Sequence, residues 1–78
     1  MVKFMVMIKK ADGAWQGLGA HGFVVPPRIG EYVTFDDENG TGLAYRVKAV
    51  FHPLDPATYA GDLVLEYVST DLDLRSGL

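Results

Sequence analysis

Two histidines, His21 and His52, are the imidazoles of this chain, and Asp55 follows the second by three residues. Two imidazoles and a carboxylate are a ligand set that can hold zinc. Their spacing supplies neither an i,i+4 pair nor an H-x-H step, so nothing local brings them together. His52, just ahead of Pro53, reads instead as a structural residue at a strand end. Nucleophilic chemistry finds less. The chain has no cysteine, and its serines, Ser69 and Ser76, sit outside any glycine-flanked elbow. Without a visible grouping of nucleophile, base and orienter, the sequence points away from an enzyme, and neither metal nor cofactor is expected.

Two other stretches spell part of a known chemistry. "GLGAHG", Gly17 to Gly22, matches the glycine spacing of a dinucleotide fingerprint, which works only where the glycines open a helix that holds a pyrophosphate. The next residues are "FVVPP", which cannot be that helix, so the glycines read as a bend or bulge in a strand. "FDDENGTG" suggests a calcium loop. With Gly40 at the sixth position, Phe35 falls on the first and Arg46 on the twelfth, where carboxylates are needed. Asp36, Asp37 and Glu38 therefore read as a solvated turn.

Binding is the chemistry left, and its candidates are chosen by residue type. Trp15, His21, Tyr32, Arg46, His52 and Tyr59 are aromatic or cationic side chains at loops and strand ends, the usual anchors of a recognition site. Arg46 and Lys48 share one strand face, and Tyr32 and Thr34 on a neighbouring strand would complete a basic and aromatic surface, with Arg28 at its corner. Such a surface can stack and neutralise a nucleic acid or another polyanion. Against it stands the net charge of −3, which gives no overall field to collect phosphates. The plainer expectation is that Arg46 and Lys48 pair with Glu31 or Glu66 across strands.

The elements that would carry these residues are short strands. From Val2 to Ile8 the even positions Val2, Phe4, Val6 and Ile8 alternate with Lys3, Met5 and Met7, a period of two. Asp12-Gly13 is a turn pair, and the glycine-rich segment after it reads as a bent strand ending at Val25. Pro26 and Pro27 have no N–H for a ladder and close that strand, while Gly30 allows the turn into a strand over Tyr32 to Phe35. Leu43 to His52 alternates without a break, placing Leu43, Tyr45, Val47, Ala49 and Phe51 on one face. Asp55-Pro56 can begin one helical turn. Leu63 to Ser69 is the last strand. Five strands at this turn spacing predict one all-β domain over residues 1–78, a small five-stranded barrel or a related antiparallel meander with at most one short helical turn.

The run "PPRIGEYVTF", the polar loop, "YRVKAVFHPLD" and "DLVLEYV" together resemble a pattern in small, uncharacterised bacterial and phage-associated proteins with an SH3-like β-barrel. The resemblance covers about Val24 to Val68. It implies a five-stranded SH3-like barrel and transfers no functional residue.

A small barrel has one interior, yet the outer strands are apolar on both faces. Met5 and Met7 lie opposite Val2, Phe4, Val6 and Ile8, and Val64 and Val68 lie opposite Leu63, Leu65 and Tyr67. Something must cover the second face: the tail "DLDLRSGL", the loop with Trp15, or another molecule. Met5, Met7, Val64 and Val68 are thus interface candidates, and the partner is a second copy, giving a homodimer, or an unidentified protein. The apolar stretch Phe4 to Ile8, bracketed by lysines, is too short for a signal segment or a membrane span, so a soluble, cytoplasmic module is expected.

Overall fold

The computed structural model describes residues 1–55 and 59–78. Within them run five strands and one helix: β1 (Val2–Lys9), β2 (Trp15–Phe23), β3 (Tyr32–Asp36), β4 (Gly42–Phe51), β5 (Gly61–Thr70) and α1 (Asp71–Ser76). The chain is an all-β, barrel-like fold, a single sheet of order β2-β1-β5-β4-β3 curled into a half-barrel. The helical turn expected from Asp55-Pro56 falls, from Pro56 on, outside the described residues. Among the described residues, no helix is long and apolar enough to cross a membrane.

The pairing departs from a meander at its centre. β1 and β2 form a hairpin, as do β3 and β4, and β5 returns antiparallel to β4, but β1 runs parallel to β5 from Phe4↔Gly61 to Lys9↔Glu66. Local turn signals cannot announce a pairing between residues so far apart in the chain. Its cause is burial, because β1 and β5 contribute the most apolar inner faces and both are driven to the middle of the sheet. Phe4, Val6 and Ile8 meet Leu63, Leu65, Val47 and Tyr45 in one core. Burying a side chain of this size is worth roughly 1.5–3 kcal/mol.

Three register shifts tune the inner and outer faces. In β2 the extra residue is Leu18, since Val6 pairs with Gly19 and Met7 with Gly17. In β5 it is Val68, and in β4 it is Lys48. The bulge at Lys48 corrects the unbroken alternation expected for β4. Beyond it Val50 lies opposite Leu63 and packs on the core, while Ala49 and Phe51 turn outward opposite Val64 and Asp62, leaving Phe51 58% exposed. An extra residue on one strand reverses the parity of everything after it, which a period-two count cannot see.

The double proline lies between β2 and β3 as expected, although β2 ends at Phe23 and leaves Val24 and Val25 exposed. The turn that follows is set by Gly30, whose φ of +89° suits glycine, and closes with the Glu31 N–H donating to the Arg28 carbonyl at 3.0 Å. Gly30 N–H then donates to the Val47 carbonyl and Val47 N–H to the Glu31 carbonyl, both at 2.9 Å, clamping the corner onto β4. At the other end of the sheet Gly61 is required for close approach: a methyl there would collide with the carbonyl of Phe51.

The tail forms α1. Thr70 caps it by accepting the Asp73 N–H at 3.2 Å, with Asp71 and Asp73 in the first turn and Arg75 in the last, charges matched to the helix dipole. It packs against β4 and β5 with Asp71 beside Gly42, and buries no residue of its own. Inside this end of the sheet, Tyr45 stacks on Phe35 at 4.8 Å and meets Tyr67 edge-on at 5.7 Å. Burial raises the Tyr45 phenol above its ordinary pKa, with smaller contributions from Tyr67 and Asp37.

Candidate functional site

The outer face carries a line of side chains that crosses all five strands. The register places Tyr32 beside Arg46, Arg46 beside Glu66, Glu66 beside Lys9 and Lys9 beside Trp15. At one end the Arg46 guanidinium lies 5.8 Å from the Tyr32 ring centre, and at the other the Lys9 ammonium lies 6.0 Å from that of Trp15. Between them Glu66 faces Lys9 at 4.0 Å and, through the bulge, Lys48 at 3.9 Å. These half-exposed ion pairs are long and contribute little to stability. The expected cross-strand pairing holds for Lys48, whereas Glu31 is taken by Arg28 at 3.7 Å and Arg46 lies against an aromatic ring.

Beside this line the same face is apolar. Met7 adjoins Val64 across the parallel pair, Val64 adjoins Ala49, and Met5 shares its row with Asp62 and Phe51. Met5, Met7, Phe51 and Val64 border a shallow pocket of about 360 Å³ whose β2 side is Gly17 and Gly19, residues with no side chain to fill it. Of the interface candidates, Met5, Met7 and Val64 thus fall together. Val68 falls beyond Glu66, near α1, and Phe51 takes its place in the patch. α1 covers the Gly42 end of this face, not the methionines.

The concave side opens between β2 and β3. A cleft of about 420 Å³ has Leu18, His21 and Phe23 on one wall, Val33, Phe35 and Asp36 on the other, and Val6 and Leu65 at its floor. The His21 ring is fixed across the bulge by Nε2, which donates to the Leu18 carbonyl at 2.9 Å. The cleft continues past Phe23 and Val33 to Val25, Pro26, Pro27 and Glu31. His52 lines a different hollow, with Phe4, Pro26, Pro27, Arg28 and Ile29.

The binding candidates therefore do not form one site. Trp15, Tyr32 and Arg46 share the outer line, His21 belongs to the concave cleft, His52 to the proline corner, and Tyr59 stands 38% exposed just before β5. Among the described residues, no group of three histidines or carboxylates is arranged to hold a metal. The acidic turn uses its own carboxylate: Asp37 Oδ1 accepts the N–H groups of Asn39 and Thr41, both at 2.9 Å. The cleft walls Leu18, Phe23, Val33 and Phe35 escape a search by residue type because apolar side chains look like core until the strand order is known. No protein-family model, curated protein or solved structure matches the chain.

Proposed function

We propose that this protein is a non-enzymatic interaction module that associates with a second copy of itself through its outer face. The observation that carries this reading is the exposed patch of Met5, Met7, Phe51 and Val64, in which Met7 is 45% and Phe51 58% exposed. Adaptable methionines around a shallow hollow suit a protein surface. A two-fold interface must be complementary to itself, and the charges in and beside this patch have both signs: Lys3 and Lys9 on β1, Asp62 and Glu66 on β5. Related by a two-fold axis, the lysines of one copy can meet the acids of the other.

Light scattering at high micromolar concentration tests the reading. A dimer mass is expected for the parent, and monomer mass for Met7→Lys and Phe51→Lys, each of which buries a charge in the interface. A clean monomer mass for the parent sinks it.

One observation favours a second reading, polyanion binding. Lys9, Arg46 and Lys48 around Glu66, with Trp15 and Tyr32 at the two ends, form a basic and aromatic line on an otherwise acidic chain. Mixed single-stranded DNA and RNA at low salt should then bind, and Arg46→Glu/Lys48→Glu should abolish it. No measurable binding by the parent removes this reading.

A further inference from the structure

We infer that the open seam of the half-barrel is a separate binding site, one that takes an extended peptide of another protein with apolar side chains and a lysine or arginine beside them. β2 and β3 are the two ends of the strand order, and the apolar cleft is lined from both.

Glu31 and Asp37, flanking β3, bond to β4 and to the residue just before it, through the Val47 N–H to the Glu31 carbonyl and the Asp37 N–H to the Thr41 carbonyl, both at 2.9 Å. In an antiparallel ladder bonding alternates, so Val33 and Phe35 also face β4, and Tyr32, Thr34 and Asp36 turn their N–H and C=O groups to the seam. On the other side Lys3 gives its carbonyl to the Ala60 N–H at 2.7 Å, toward β5. Phe4 and Val6 therefore face β2 and engage His21 and Gly19, which leaves Ala20 and Gly22 turned outward. Natural sheets guard such edges with lysine or proline. Neither "WQGLGAHGF" nor "YVTFD" contains one.

Three features select the occupant. Unpaired backbone groups on an edge call for another backbone in extended form, the strand-addition mode of peptide recognition. The walls Leu18, Phe23, Val33 and Phe35 call for apolar side chains on alternate residues. Among the described residues lining the cleft and its continuation, the charged ones are the acids Asp36 and Glu31, with His21 opposite. Glu31 already faces Arg28, so Asp36, whose carboxylate lies on the outer side of the β3 edge beside Gly42, offers the charge complement for a cationic side chain on the outward-facing residues of the peptide, the apolar ones turning into the cleft.

The probe is a labelled peptide of about ten residues alternating valine with lysine or threonine, titrated into the full chain. Binding is expected, with slowed amide exchange at Thr34, Asp36, Ala20 or Gly22. Methylating alternate peptide nitrogens should abolish it, and glutamate in place of lysine should weaken it by about tenfold or more, a preference that Asp36→Lys should remove. Thr34→Pro blocks the edge directly, and Asp36→Lys, a surface change, keeps the test decisive if the proline variant does not fold. The proposal is overturned by no binding at millimolar peptide, by binding indifferent to N-methylation, or by perturbations confined to Met7 and Phe51. It is overturned equally if the edge amides are protected by a second copy as protein concentration rises. A monomer mass in light scattering would sink the outer-face reading and leave these outcomes untouched.

Discussion

Tyr45 is a core residue with a titratable group, 3% exposed between Phe35 and Tyr67. Its phenol is held above the ordinary value of 10.0, first by burial and then by Tyr67 and Asp37. Below the unfolded value both states keep the proton, so the contribution of this group is fully present. As pH rises through the unfolded value and toward the raised folded one, the unfolded chain loses its proton first and stability falls. Urea titrations should therefore find stability insensitive to this group up to about pH 10 and declining above it. Tyr45→Phe should flatten that decline. An alkaline limb equally steep in the variant would assign the loss to other groups.

At the scale of the element, the bulge at Lys48 decides which side chains of β4 are structural. Val50 packs on the core and Phe51 does not, the reverse of the plain alternation. Val50→Ala should cost about 1 kcal/mol, the low end for removing partly buried methyl groups. Phe51→Ala should stay within about 0.5 kcal/mol of the parent when measured on monomer, as exposed positions do. Equal losses at both would mean that the strand continues without the bulge. Strand positions were legible in the sequence because alternation and turn residues are local: β1, β3 and most of β4 and β5 follow from them. The bulges were not, because an unpaired residue is defined by the partner strand. Nor was α1, although Thr70 followed by Asp71 and Asp73 was a start signal in plain sight. For the same reason the outer patch was half legible. Met5, Met7 and Val64 follow from parity, and Phe51 joins them only through the bulge.

For the whole molecule, the parallel β1–β5 pair is what joins the two hairpins into one sheet. β1 also supplies Phe4, Val6 and Ile8 to the core, so a chain lacking residues 1–9 loses both the join and three of the seven buried core residues. Circular dichroism of that fragment is expected to show no cooperative melting, and a cooperative transition would mean that β5, β4 and β3 stand alone. The same pair has a consequence for synthesis. Because β1 is made early and β5 late, the first hairpin leaves the ribosome with its inner face and both edges bare, and the β1 edge stays so until Leu63 and Leu65 follow. Late closure of a distant pairing is slow and open to misassociation. The first hairpin is therefore where a nascent chain of this protein would stand most in need of a chaperone.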